Sequence, residues 1–191
     1  MTSKTALLPF TGDPDADQLI SQDPLALLIG FELDQQVTLQ KAFSGPYELR
    51  RRVGTISARD LANMDPARLE TAFKERPALH RFPAHMARRV QDLCLAVERD
   101  YAGDAGRIWA GQDSAGEVYR RLLALPGIGD MKTRTILAIL VKRFGLRLEG
   151  WQQFVPPRMS LGDVDSAEKL AEYQAGKRAY KAQLRAGGKR V

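Results

Sequence analysis

Two glycines, a lysine and the open end of a helix make the clearest chemical arrangement in this chain. Residues 125–133 read Leu-Pro-Gly-Ile-Gly-Asp-Met-Lys-Thr. Gly127 and Gly129 let the backbone turn with φ > 0 and leave no side chain in the way of an approaching partner. Helical patterns lie on both sides, over 117–124 and 134–144, so the unit reads as helix, tight hairpin, helix. The second helix starts with its unpaired backbone N–H groups pointing outward at the turn. Such an end takes an anion, and a DNA phosphate is the obvious one. Lys132 supplies positive charge at the same spot. The candidate contacts are Gly127, Ile128, Gly129, Met131, Lys132 and Thr133.

The rest of the chain must hold this hairpin in place. Asp23-Pro24 gives an N-cap followed by proline at the first helical position, and opens a nearly all-apolar helix. Residues 33–38 interrupt it, and a helix resumes from Thr38 and is expected to stop at Ser44-Gly45-Pro46. Ser57 with Asp60, and Asp65-Pro66, start two short helices. Residues 83–100 form the cleanest amphipathic helix, with Met86, Val90, Leu93, Cys94 and Val97 at helical spacing. Cys94 lies on that stripe and reads as a core residue. His80 and His85 flank a turn and read as surface residues. Ser114 with Glu117 is a capping box that opens the first hairpin helix. In the second, Thr133, Ile136, Leu137, Leu140, Val141 and Phe144 form the inward stripe. Residues 146–164 are irregular, and Asp165 is expected to cap a last helix running to about Ala186. Residues 1–22 are polar and are expected to be extended or weakly ordered. No strand pattern and no internal repeat occurs, so the fold class is all-α.

The Leu125–Gly129 run resembles, residue for residue, the hairpin of the HhH-GPD superfamily of base-excision DNA glycosylases, the endonuclease III-like group. The resemblance covers roughly residues 23–166. Beyond the hairpin it rests on the apolar helix ending in Gln35-Gln36, on the spacing of short helices from there to the hairpin, and on Phe144-Gly145. It implies a six-helix barrel over 23–145, with a reduced second helical lobe contributed by 1–22 and 146–191. It also implies a glutamine wedge. A flipped nucleotide leaves a hole in the stack that a planar polar side chain can fill. Gln35 is the wedge candidate and Gln36 its neighbour. The surface of an ordinary helix end is the competing reading.

The departures set the expected chemistry. Bifunctional members of the family carry a lysine two positions after the second hairpin glycine, whose amine attacks the sugar. Here that position is Met131. Lys132 is one residue later, rotated by about 100° toward the phosphate side. The resemblance therefore implies a monofunctional enzyme with Lys132 as a DNA contact, unless a shifted hairpin restores Lys132 as nucleophile. The family's aspartate stabilises the developing oxocarbenium charge. Val164-Asp165 best copies its context, and Asp163 competes. Asp165 as a mere N-cap is the plain alternative, and Glu149 and Glu32 are outside candidates. Trp151, Phe154 or Tyr173 could stack on a flipped base.

Composition bounds the rest. The chain has 191 residues, 44% of them hydrophobic, and a formal charge of +6. Seven cations against Glu172 alone in residues 169–191 equal that whole charge, which suits phosphate contact. One cysteine excludes an internal disulfide and the family's four-cysteine iron–sulfur cluster. No cofactor and no metal are expected. Residues 1–17 lack the pattern of a signal peptide, and no apolar run is long enough to cross a membrane. The expectation is a monomeric, cytoplasmic, nucleoid-associated DNA glycosylase acting on double-stranded DNA. A non-enzymatic helix-hairpin-helix protein that binds DNA structures or lesions is the alternative.

Overall fold

A computed structural model describes residues 6–187. Among these the architecture is all-α, with nine α-helices, three short 3-10 turns and one isolated bridge between Ser114 and Glu149. Residues 1–5 of the N-terminal segment, and Lys189 and Arg190 of the basic C-terminal stretch, lie outside the described residues.

The N-terminal segment is not extended throughout. Helix α1 (Pro14–Gln22) is capped by Asp13, and Pro14 occupies its first turn. The reason lies in Asp17, a buried carboxylate that accepts from the Phe10 and Thr11 amides at 3.1 and 2.8 Å. That contact folds the incoming chain back, so Leu8 and Phe10 become fully buried. Helix α1 packs on the next two helices, rather than only completing a lobe with the C-terminal residues as expected.

Helix α2 (Pro24–Leu33) starts at the Asp23 cap and is buried on nearly every side. Helix α3 (Leu39–Val53) corrects the sequence reading, because it continues through Ser44-Gly45-Pro46. Proline inside a helix removes one backbone bond and costs about 3 kcal/mol in an isolated helix. Tertiary packing overrides that cost. Gly45 faces Leu33 of α2, while Gly30 of α2 faces the Phe43 ring of α3. Each glycine makes room for a large side chain of the other helix, so the two cross closely.

Helices α4 (Ala58–Ala62) and α5 (Pro66–Lys74) begin at the Ser57 and Asp65 caps read from sequence, and both pack on α6 (Pro83–Tyr101). Cys94 is buried on the inner stripe of α6, which pushes its thiol up to about 12. The hairpin helices are α7 (Ala115–Leu123), capped by Ser114, and α8 (Asp130–Lys142). Thr133, Ile136, Leu137 and Leu140 are buried as the periodicity requires. The last helix, α9 (Ala167–Ala186), is capped by Ser166, whose hydroxyl accepts from the Lys169 amide; Asp165 is exposed just before it. No described helix is long and apolar enough to cross a membrane.

Candidate nucleic-acid interface

The hairpin takes the positive φ expected of it at Gly127 but not at Gly129, whose φ is −84°. Gly127 adopts φ +78°, and the Ile128 amide donates to the Leu125 carbonyl at 3.2 Å. Helix α8 then opens at Gly129 with no side-chain cap, and the amides of Gly129, Asp130, Met131 and Lys132 make no hydrogen bond among the described residues. These unpaired donors, at the positive end of a 13-residue helix, are groups of the kind that take an anion. Asp130 sits in that first turn. Its carboxylate accepts from the Tyr119 hydroxyl and from Arg134 Nε at 2.9 Å, and these bonds hold it below the usual carboxylate range. Its charge is thereby partly answered within the protein.

Not every predicted contact faces outward. Ile128 is 2% exposed and Thr133 fully buried, with the Thr133 Oγ1 lacking a hydrogen-bond partner. Their side chains anchor the hairpin to the core, and only backbone remains for a ligand. Lys132 is the larger correction. Instead of reaching for the phosphate side, it folds back, donating from Nζ to the Gly127 carbonyl at 3.0 Å. Nζ also lies 3.7 Å from Glu32 Oε2.

Glu32 explains that fold-back. It is fully buried at the end of α2, bonded to Arg89 Nε of α6, and directly beneath Gly127. Any side chain at 127 would fall on its carboxylate. Burial pushes the Glu32 carboxyl up and the Lys132 ammonium down, each against the pull of the opposite charges beside it. A carboxylate buried with two cations stays only if it is paired. The Glu32–Arg89–Lys132 cluster therefore ties α2, α6 and the hairpin together. Sequence reasoning kept Glu32 only as an outside catalytic candidate; its surroundings make it the hairpin's support.

The same cluster orders the segment that follows α2, which holds the two wedge candidates. Gln35 is tied down, with Nε2 donating to the Glu32 carbonyl at 3.1 Å and Oε1 accepting from Arg89 at 3.3 Å. The Gln35 carbonyl accepts from His80 Nε2 at 2.8 Å, while His80 Nδ1 accepts from the Phe82 amide at 3.1 Å. Those two bonds define a neutral imidazole with its proton on Nε2. His80 is thus 1% exposed, not a surface residue, and burial lowers its pKa. His85 is exposed, as read. Gln36, with φ 55°, is exposed and free of hydrogen bonds among the described residues. Of the two glutamines, Gln36 projects and Gln35 braces.

Beside the hairpin lies a cleft of about 630 Å³ between the first turns of α8, the 156–160 loop and α9. Met131, 73% exposed, points along it, and Met159, Tyr173 and Tyr180 line it. Of the three aromatic candidates, Tyr173 alone lines this cleft; Phe154 packs on Tyr119 with ring centroids 4.9 Å apart, and Trp151 packs against the core. The cleft's carboxylates are Asp130 and Glu172, the latter paired with Lys169 at 2.7 Å.

Asp163 and Asp165 do not line it. Asp163 bonds Lys142 at 2.7 Å and the Ser160 amide and hydroxyl at 2.9 Å each. Partial burial works against ionisation there, but Lys142 and Ser160 hold its carboxyl below the usual range. Lys142 is the last residue of α8, about 18 Å along the axis from Asp130 at 1.5 Å per residue. Asp163 thus pins the loop to the far end of α8. Glu149 stands beside Asp113 and Ser114 at the start of α7. Among the described residues no group of three metal-ligating side chains occurs. Comparison with protein-family models, curated proteins and solved structures gives no match, so the reading of this site rests on its own residues.

Proposed function

We propose that this protein is a monofunctional DNA glycosylase built on a helix-hairpin-helix barrel. It binds double-stranded DNA through the uncapped start of α8, with a phosphate on the amides of residues 129–132. Gln36, braced by Gln35 and His80, enters the stack. The displaced base is received by the neighbouring cleft. One observation carries this reading: the unsatisfied hairpin amides open directly, at Met131, onto an apolar cleft within the size range of small-molecule sites. Tyr173 and Tyr180 offer stacking faces, and the thioethers of Met131 and Met159 offer soft apolar contact. Met131 stands where the resemblance implies an amine in bifunctional members, which supports hydrolysis without strand cleavage; the amine that does border the cleft, Lys177, is carried by α9 and not by the hairpin. Asp130, ionised and lining the cleft at the hairpin, is the carboxylate this reading assigns to stabilising positive charge on the sugar. Asp163 and Asp165 act at this centre only if the 156–166 loop moves.

The second reading, a non-enzymatic DNA-structure or lesion-binding protein, is favoured by one specific observation. Asp163 is fully engaged by Lys142 and Ser160, and Asp165 stands exposed away from the cleft. A single-turnover assay separates the two. Duplexes carrying uracil, hypoxanthine, alkylated purines, oxidised bases or mismatches are incubated with wild type and with Asp130→Asn, Asp163→Asn and Asp165→Asn. Strand breaks appearing only after alkali, and lost in one variant, establish base excision and choose the carboxylate. Tight binding with no product establishes the binding reading. Breaks without alkali, with a borohydride-trapped adduct lost in Lys132→Ala, overturn the monofunctional assignment.

A further inference from the structure

Helix α9 is long, and the core does not account for it. Of its 20 residues only Leu170 is buried. From Tyr173 to Gly187 the chain contains no Asp or Glu, but carries Lys177, Arg178, Lys181 and Arg185. All four are exposed, and none has a carboxylate within 4.0 Å among the described residues. Beyond the Lys169–Glu172 pair near its start and the Tyr173 and Tyr180 rings at the cleft, α9 leaves an exposed basic side with no ion pair among the described residues, a surface that a partner of opposite charge would cover. At 3.6 residues per turn the four cations fall within an arc of about 100°.

That arc points back to the wedge. Gln174, inside it, donates from Nε2 to Gln40 Oε1 of α3 at 3.2 Å. Lys177, Arg178 and Lys181 share a shallow cleft with Asp34, Val37 and Thr38, the loop that presents Gln36. Lys177 and Tyr173 also border the cleft at Met131. The basic arc therefore begins where the hairpin cleft and the wedge loop meet, and extends about 12 Å beyond along α9.

We propose that this arc is a second DNA contact, a phosphate-binding rail that grips the backbone of the same duplex beyond the wedge. This inference rests on the DNA reading of the hairpin. Its occupant is a polyanion because the four exposed cations have no ion pair among the described residues and outnumber Asp34, the carboxylate in their shallow cleft, and it is that duplex because the rail adjoins the wedge loop. Each cation docked on a phosphate releases condensed counterions, so each contributes nearly one unit to the salt slope of binding. Backbone amides at the hairpin release fewer. The rail, not the hairpin, thus carries most of the salt dependence.

The test uses the full chain and a fluorescent 20-base-pair duplex, with anisotropy titrations from 50 to 300 mM salt. The combined variant Lys177→Ala, Arg178→Ala, Lys181→Ala, Arg185→Ala keeps good helix formers on an exposed face, and circular dichroism checks its folding. Its log–log salt slope is expected to shrink by about 3, and its affinity at 150 mM salt to fall about tenfold or more. Lys177→Arg with Lys181→Arg is expected to retain both. In Gly129→Ala the affinity falls while the slope is kept. An unchanged slope in the combined variant, with binding lost in Gly129→Ala, overturns the rail and leaves the hairpin reading intact. A collapsed slope in the combined variant with full affinity in Gly129→Ala supports the rail and removes the hairpin. No duplex binding by wild type, or α9-dependent binding only to phosphatidylserine vesicles or to single-stranded RNA, overturns both.

Discussion

Gly127 and Gly129 differ by two positions and by almost everything else. Gly127 needs its positive φ and lies against the buried Glu32 carboxylate. Gly129 has φ −84° with open space where a Cβ would stand. Of the two, only Gly127 is a glycine that the fold itself requires. Gly127→Ala strains the turn and displaces a paired buried charge, costing about 3 kcal/mol or more in urea unfolding. Gly129→Ala stays within about 0.5 kcal/mol of wild type. Its methyl group instead stands where a phosphate oxygen must approach, so duplex binding weakens at least tenfold in a filter or anisotropy assay. Full binding by Gly129→Ala would remove the α8 amides as the anion site. Lys132 shows why such roles are hard to read from spacing. The helical rotation was correctly counted, but the partner that turns it inward, Glu32, lies 100 residues earlier.

At the scale of the element, the loop joining α2 to α3 depends on a titrating group. His80 holds the Gln35 carbonyl as a neutral imidazole, and burial lowers its folded-state pKa below 6.5. Between that value and 6.5 the unfolded chain binds more protons, so folding stability is full above pH 6.5 and falls as pH drops below it. Protonating His80 also puts a second proton on Nδ1, which must then break with the Phe82 amide. Acidification from pH 7 to 5 is therefore expected to loosen the 33–38 loop. Hydrogen exchange should show the Gln35 amide, bonded to the Leu33 carbonyl at 2.7 Å, opening faster, and His80→Gln should flatten that dependence. An unchanged pH profile in that variant would assign the acid sensitivity elsewhere. The helix starts at Asp23, Ser57, Asp65 and Ser114 were legible because a cap is a local hydrogen bond. The passage of α3 through Pro46 was not. It depends on α2 pressing Leu33 into the space beside Gly45, a contact made by residues twelve apart in sequence.

Taken as a whole molecule, the protein concentrates its charge. The formal +6 resides in residues 169–191, while the body that carries hairpin and wedge is formally neutral. That segregation was visible in the sequence. The cleft it borders was not, because Met131, Met159, Tyr173 and Tyr180 come from three separate segments that only the fold assembles. If, as proposed, the body offers the anion site and the last helix the long-range attraction, the two should separate under salt. A ligand that binds only the folded state raises its stability by about 2.7 kcal/mol at a concentration 100 times Kd. For a chain of this size that corresponds to a rise in Tm of about 5–10 °C. Thermal unfolding with saturating duplex at 50 mM salt is expected to show that rise. At 500 mM salt, with the same duplex concentration, the screening length falls to a few ångströms and the rise should vanish. The free protein, whose core is apolar, should keep its own Tm within a few degrees between the two salts. A duplex-induced shift that survives high salt would mean that DNA is held by base contacts rather than through phosphates, and would move the weight of recognition from the hairpin and α9 to Gln36 and the cleft.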